Sequence, residues 1–253
     1  MRQSSFLQAS LTLIAAAAAA AMATLPAQAS SVLEVSPIRI ALPAERPMAT
    51  LHLHNHGDRD TTVHLDAMRW RQENGEDIYE PDDTLLVTPP IVHLPGGEEQ
   101  LVRIGFAKPK TVATTDAAYR VFIREIPREK VVDAATVRVV LQIGVPVFVL
   151  PNHHAHAKID WRVVRQPDGL FNIEAQNVGD VHVQVTKIDV RSVGGTAGAG
   201  AADMNIMRYV LPGSTVSWPL DAAGSRAIAN LAERVAITAV TDQGVMNAEI
   251  TRE

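Results

Sequence analysis

The chain has 253 residues, of which 47% are hydrophobic and 20% are charged, with a formal net charge of −5. This composition is typical of a chain that folds around an apolar core, and it excludes an intrinsically disordered protein. Lysines and arginines are scattered, so the sequence predicts no nucleic-acid-binding face. The absence of cysteine excludes disulfides, thiol nucleophiles and thiolate metal sites.

The N-terminal segment has the features of a cleaved secretory signal. Arg2 supplies a positive start, residues 11–25 are apolar and rich in alanine, and Ala27 and Ala29 are the small residues that signal peptidase requires. We therefore expect cleavage after Ala29. No later segment reaches the ~20 apolar residues that a membrane-spanning helix needs, so stable membrane insertion is not expected.

Apolar residues alternate with polar ones in short runs along the rest of the chain. This period of two predicts β-strands with one face on a core, and turn-forming residues separate the runs. Many short strands at such spacing predict an all-β sandwich or barrel. The turn signals lie at residues 55–57, 74–75, 95–97, 167–169, 177–179 and 212–213.

Two interruptions of the strand pattern indicate the domain organisation. Residues 128–136 are polar, and residues 151–156 break the pattern again near the middle of the chain. We place the domain boundary at Pro151. Residues 30–150 and 151–253 each have about the length of an immunoglobulin-like sandwich, which is ~100 residues.

Residues 136–151 form the most informative segment. Val137, Val139, Leu141 and Ile143 share one face of a predicted strand that is long by ordinary standards. One interpretation is a central strand buried on both sides. The other is an edge strand with an apolar face, which a protein must either cover or use. Periodicity alone leaves both open.

The first half contains a series of short motifs in a fixed order, at residues 35–40, 51–57, 70–72, 86–90, 94–104, 119–127 and 145–151. With this series, residues 31–151 resemble the PapD-like periplasmic pilus chaperones of the chaperone-usher pathway. The short loops resemble the subgroup that includes the archaic systems. The second half resembles the family more loosely, at residues 173–183 and 209–213.

The resemblance implies a fold, a location and an activity. The fold is two immunoglobulin-like β-sandwich domains at an angle, in a boomerang arrangement. The protein would act in the periplasm without a cofactor, by lending an edge strand to pilin-like subunits that lack one. It would then deliver them to an outer-membrane usher. The identity of the subunits and of the pilus or coat is not implied.

The resemblance also assigns the donor strand. It implies that Val137, Val139 and Leu141 are the donated residues, with Ile143 as an extension. Their alternate side chains would fill pockets in the subunit while main-chain hydrogen bonds supply affinity. A second copy of this chain, in a homo-oligomer, is also a candidate partner for the same edge.

An arginine anchor and a cis-proline are implied in the same way. Arg39 matches the cleft arginine that binds the subunit's C-terminal carboxylate, a task for which the guanidinium fork is suited. Pro146 stands where the family has a second, lysine anchor, and Arg103 and Arg120 are the candidates to replace it. The resemblance implies a cis peptide bond before Pro89.

Other function classes receive less support. The sequence contains no His-Glu-x-x-His or Gly-x-Ser-x-Gly motif, so an enzyme is not expected. The alternative is an exported structural pilus subunit or a surface adhesion sandwich. Two complete domains favour the chaperone, since a pilin is a single incomplete domain.

Two histidine clusters raise the question of a metal site. His52, His54 and His56 have strand spacing on one face, and a second cluster lies at residues 153–156. Neutral imidazoles bind zinc or copper. Because the sequence places no carboxylate beside either cluster, we expect neither to hold a metal ion.

Overall fold

The computed structural model describes residues 33–43, 48–106, 114–127, 140–151, 155–193, 202–231 and 233–252. Within these ranges the chain consists of β-strands and one short helix, which confirms the predicted all-β fold with two sandwiches. No helix in the described ranges is long and apolar enough to cross a membrane.

The first half forms two sheets. Its strands are β1 (Leu33–Ser36), β2 (Ile40–Leu42), β3 (Met48–Asn55), β4 (Thr61–Glu73), β5 (Glu76–Pro81), β6 (Leu85–Thr88), β7 (Ile91–Leu94), β8 (Glu99–Phe106), β9 (Ala117–Glu125) and β10 (Gln142–Val149). One sheet has the order β1-β3-β8-β6. The other has the order β2-β10-β9-β4-β5, with β7 paired to β4.

The second half also forms two sheets. Its elements are β11 (Ile159–Arg165), β12 (Phe171–Asn177), β13 (Val183–Ser192), β14 (Ala202–Val210), β15 (Thr215–Pro219), the helix α1 (Ala222–Ala229), β16 (Arg234–Thr241) and β17 (Gly244–Thr251). The sheet orders are β11-β12-β15 and β14-β13-β16-β17. The predicted boundary residue Pro151 lies between β10 and β11.

Each half buries its own core between its two sheets, because alternate residues of each strand face inwards. In β3, Leu51 and Leu53 are fully buried and the intervening His52 is exposed. In the second half, Ile173 and Ile188 occupy the equivalent interior and are fully buried. This alternation is the pattern from which the strands were predicted.

The chain changes sheets between β1 and β2, and this change places Arg39. β1 pairs antiparallel with β3, whereas β2 pairs parallel with β10 in the opposite sheet. The Ser36–Pro37 peptide bond at the crossing is cis. The Thr88–Pro89 bond, for which the resemblance implies a cis form, is also cis.

Two features differ from the sequence expectation. The helix α1, capped at its N-terminus by the Asp221 side chain, was not predicted. The long strand predicted over residues 136–151 appears as β10, which begins at Gln142. Val137 and Val139 lie outside the described residues, as do residues 1–32.

Candidate functional site

Strand β10 has one covered side and one partly open side. Strand β9 pairs with it along its whole length, from Gln142 to Val149. On the other side, β2 pairs only with Val147 to Val149. Among the described strands, none pairs with Gln142 to Pro146 on that side. Within the described part of the chain, the first part of β10 is therefore a sheet edge, and its outward main-chain groups can pair with another strand.

The side chains of β10 form an apolar row that enters the core. Val145 and Val147 are 2% and 0% exposed and pack in the core of the first half. Ile143, two residues earlier, is only partly buried against the same core. With a period of two, Leu141 continues this row. It is partly buried, and its carbonyl oxygen accepts a hydrogen bond from the Glu125 N–H at 3.0 Å.

The opposite face of this segment is different. Val140 is 49% exposed. The Gln142 side-chain oxygen accepts a hydrogen bond from Arg124 Nε at 3.1 Å. The odd-numbered and even-numbered residues of this segment therefore face different surroundings. The odd-numbered row, which includes Leu141 and Ile143, is the one that continues the core. Val137 and Val139 are odd-numbered like Leu141 and Ile143, but they belong to the part of the chain that the structure does not describe.

Arg39 lies between the two halves. Its Nη1 atom is 2.5 Å from Asp242 Oδ2 in the turn after β16, and its side chain is 42% exposed. Partial burial acts to lower the pKa of Arg39, but the hydrogen bonds to Asp242 and to the Tyr209 hydroxyl raise it overall. Arg39 is therefore a permanent cation with access to solvent.

Arg120 lies on an aromatic surface close to the same residues. Its guanidinium carbon is 4.4 Å from the Trp70 ring centroid and 5.5 Å from that of Tyr79. Burial raises the pKa of the Tyr209 hydroxyl, and the positive charges of Arg39 and Arg120 both oppose that rise. Tyr209 packs edge-on against Trp70, with ring centroids 5.5 Å apart. The two arginines thus flank one aromatic cluster.

The other predicted residues take separate places. Pro146 lies opposite Arg120 in the β10–β9 pair, so both side chains are on the same face of the sheet. Arg103 is exposed on β8, opposite Thr50 and Thr88, in the other sheet of the first half. The structure therefore brings Arg120, and not Arg103, to the sheet face beside Pro146.

A buried polar network beside the arginines was missed by the sequence analysis. Asp116 Oδ2 accepts hydrogen bonds from the His182 backbone N–H at 2.8 Å and is 2.5 Å from His182 Nδ1. The His182 ring stacks on Phe148, with centroids 3.4 Å apart. Asp116 and His182 are 66 residues apart in the chain. No local motif connects them, so nothing in the sequence marked the pair.

His54 of β3 and His56, just after its end, have a carboxylate neighbour, contrary to the sequence prediction. Glu34 of β1 lies opposite His54 and forms a hydrogen bond with His56. The side-chain ligand atoms of Glu34, His54 and His56 all lie within 4.8 Å of one another. The second histidine cluster lies partly outside the described residues.

Comparisons with known proteins agree with this architecture. Residues 32–155 match the family model for the N-terminal domain of PapD, described as a pili and flagellar-assembly chaperone. Among curated proteins, no sequence matches the chain significantly.

Solved structures of pilus chaperone systems share the fold. A chain of the CsuC–CsuE chaperone–tip adhesion subunit complex, from the archaic Csu pili of Acinetobacter baumannii, is 18% identical, with a TM-score of 0.65. The match covers 89% of this chain and all of that one. The Escherichia coli chaperone DraB is 18% identical, with coverages of 88% and 97% and a TM-score of 0.57.

A chain of the Salmonella enterica SafA pilin–SafB chaperone complex is 15% identical, with coverages of 89% and 98% and a TM-score of 0.59. At such identities these likenesses show the fold. The family match over residues 32–155 identifies the chain as a PapD-like pilus assembly chaperone, a class of proteins that are not enzymes, and the solved structures show that the same fold extends over both halves.

Proposed function

We propose that the protein is a periplasmic chaperone that captures pilin-like subunits by donor-strand complementation and delivers them to an outer-membrane usher. The observation that carries the proposal is the open edge of β10. This edge combines main-chain groups that no described strand pairs with and an apolar row that runs out of the core at Ile143 and Leu141. An edge of this kind binds a partner by adding a strand to the partner's sheet.

The apolar row of side chains would supply the binding free energy for capture of a subunit. Val137, Val139 and Leu141, with Ile143 as an extension, would insert alternate side chains into the groove of a subunit. Burial of each such side chain stabilises the complex by roughly 1.5–3 kcal/mol before ordering costs are subtracted. Ile143 already packs partly against the chaperone's own core. Val137, Val139 and Leu141 therefore provide most of the proposed contact with the subunit groove.

Arg39 and Arg120 are the proposed anchors for the C-terminal carboxylate of the subunit. Arg39 is cationic and accessible, and a guanidinium binds a carboxylate through two parallel hydrogen bonds. Arg120 lies on the face that the family's lysine would use, directly beside Pro146. Its Nε is buried without a hydrogen-bond partner within the described part of the chain, while the residue as a whole is only partly buried. Arg120 is thus better placed than Arg103 to act as the second cation.

The class of partner follows from the relatives. Two of the similar structures are complexes of a chaperone with a pilin or with a tip adhesion subunit. The archaic Csu system is one of them. We accordingly propose pilin-like clients and an archaic-type or similar system for this chain. Export after cleavage at Ala29, and division into domains at residues 30–150 and 151–253, are parts of the same proposal.

The test is subunit capture in the periplasm. The chain is co-expressed with a pilin-like subunit encoded beside its gene, and the complex is purified through the chaperone. Val139→Asp combined with Leu141→Asp should abolish recovery of the subunit, since a carboxylate buried without a partner costs far more than a lost methyl group. The thermal melt of the chaperone alone should change little, because Leu141 precedes β10 and is only partly buried.

Matched controls separate binding from folding. Val140→Asp adds the same charge on the opposite face of the same segment, where the wild-type side chain is 49% exposed, and should leave capture near wild type. Arg39→Ala should weaken capture without unfolding. Recovery of the subunit by a folded Val139→Asp, Leu141→Asp variant would refute strand donation. Unfolding of that variant, but not of Val140→Asp, would assign the row to the chaperone's own core and also refute it.

A further inference from the structure

An outward-facing group of three ligand side chains lies at the edge of the β1-β3-β8-β6 sheet, away from β10. Glu34 and His54 face each other across the β1–β3 pair, and His56 follows two residues later on the same face. The His54 and His56 rings are 3.9 Å apart between centroids. Both strands contribute, so the group exists only once β1 has paired with β3.

The chemistry of this group is that of a metal ligand set. Two imidazole nitrogens and one carboxylate oxygen are a frequent protein contribution to a zinc site, with water in the fourth position. The three ligand atoms lie within 4.8 Å of one another. Zinc bonds of ~2.0–2.2 Å require them to move closer. Glu34 and His56 have exposed side chains, so rotation about side-chain bonds supplies that movement without a change in the strands.

The surroundings favour a cation. The Glu34 side chain is 57% exposed and forms a hydrogen bond with His56, so its carboxylate lies where it can share an ion with that histidine. On the other side of His54, Glu99 of β8 lies opposite it in register. Glu99 is held 2.6 Å from His52 Nδ1, so the histidine row has a carboxylate on each side.

We propose that Glu34, His54 and His56 form a binding site for one divalent zinc ion. The bound ion would fasten the short edge strand β1 to β3. Arg39 lies three residues after the end of β1 and immediately before β2, so the site would also steady the segment that leads into the cleft. This proposal is independent of subunit capture, because none of its three ligands belongs to β10 or to the arginine pair.

The experiment uses the exported chain without a polyhistidine tag, stripped of metal and titrated with zinc chloride in a calorimeter. Wild-type protein should bind one zinc ion per chain and melt at a higher temperature in its presence. His54→Gln combined with His56→Gln should weaken binding by more than about tenfold and abolish the shift in melting temperature. Glu34→Gln should weaken binding by a smaller factor.

Two matched variants locate the ion. His52→Gln removes an exposed histidine from the same face of the same strand and should leave the zinc affinity and the melting shift unchanged. His153→Gln combined with His154→Gln tests the other cluster and should also change neither. Absence of saturable binding to wild type would overturn the proposal. Loss of binding in the 153/154 variant, with full binding retained in the His54/His56 variant, would do so as well.

Discussion

Arg39 illustrates how one residue serves both the fold and the proposed site. Only its Nη1 atom is engaged by Asp242, whose other oxygen, Oδ1, accepts a hydrogen bond from the Gln184 N–H at 2.8 Å. Since a guanidinium has five N–H donors, further donors remain for a carboxylate. Asp242 therefore positions Arg39 rather than neutralising its function. A subunit carboxylate would join the ion pair and need not displace it.

Two asparagines show the same design at the corresponding turn of each half. Asn55 is fully buried, accepts a hydrogen bond from the Gly57 N–H and donates to the carbonyl of Arg59 at 2.8 Å. Asn177 likewise accepts from Gly179 and donates to two carbonyls at 2.8 Å. Each side chain ties a turn to the end of a neighbouring strand. Alanine has no group that can replace these bonds.

We predict that Asn55→Ala lowers the free energy of unfolding by ~1–3 kcal/mol, because buried backbone groups lose their partners. The measurement is urea denaturation followed by circular dichroism. Asn247→Ala is the control, since Asn247 is exposed on β17 and accepts one hydrogen bond from Thr238. Equal effects of the two changes would show that the Asn55 bonds contribute nothing beyond an ordinary surface bond.

The sequence identified some of these residues and could not identify others. The Asn-x-Gly turns and Arg39 belong to local motifs, so pattern and resemblance found them. Asp242 is 203 residues from Arg39 along the chain, and its role depends on the packing of one half against the other. Such a contact leaves no trace in local periodicity or spacing.

Among the elements, strands with one face on the core were predictable and the rest were not. A period of two marks β3 and β9 clearly, because one face of each is fully buried. The helix α1 is only eight residues long, and its buried residues are Ser225 and Ile228, so it gives almost no helical pattern. The open side of β10 depends on where β2 stops, which strand periodicity does not encode.

Close backbone packing at the turn after β12 gives a prediction at this scale. A Cβ atom added to Gly179 would lie 2.5 Å from the His156 carbonyl oxygen and 2.6 Å from the Lys158 nitrogen. Both are backbone atoms and cannot move aside cheaply. We predict that Gly179→Ala lowers the free energy of unfolding by ~1–3 kcal/mol, the usual cost of overpacking. Chemical denaturation measures the change.

Gly144→Ala is the matched control for this prediction. The nearest atom to a Cβ at Gly144 is Arg120 Cδ at 3.0 Å, part of a flexible side chain. Its effect on stability should therefore be smaller than that of Gly179→Ala. A larger loss for Gly144→Ala would mean that the backbone around Gly179 relaxes more easily than the arginine, contrary to this account.

The two halves of the molecule are joined by an interface that is partly apolar and partly polar. Trp70, Ala118 and Phe148 of the first half pack with Leu211 of the second in one buried cluster. At its edge, Gln72 forms hydrogen bonds with the second half through both ends of its amide. Its Nε2 donates to the Tyr209 carbonyl and its Oε1 accepts from the Leu211 N–H, each at 2.9 Å. The Gln72 amide therefore donates one hydrogen bond and accepts one across the interface, as a backbone peptide group does in a sheet.

At this scale the sequence predicted two sandwiches from length, turn spacing and the break near Pro151. The resemblance, rather than periodicity, implied their arrangement around a cleft. Gln72 belongs to the family motif at residues 70–72. Its partners Tyr209 and Leu211 lie 137 and 139 residues away along the chain. Its role in joining the halves therefore required the structure.

Gln72 provides the last prediction, which concerns the coupling of the two halves. Gln72→Leu keeps the size of the side chain but leaves the Tyr209 carbonyl and the Leu211 N–H without their partner, at a cost of ~1–3 kcal/mol for each group that remains buried. Because both lost bonds cross the interface, the cost falls on the docking of the halves rather than on either core. We therefore expect calorimetry to show a broader unfolding transition for Gln72→Leu than for the wild type, or a division into more transitions. Gln100→Leu, at an exposed glutamine of β8, should leave the transition unchanged. If Gln72→Leu unfolded in a single transition as sharp as that of the wild type, the two Gln72 hydrogen bonds would not be what couples the halves.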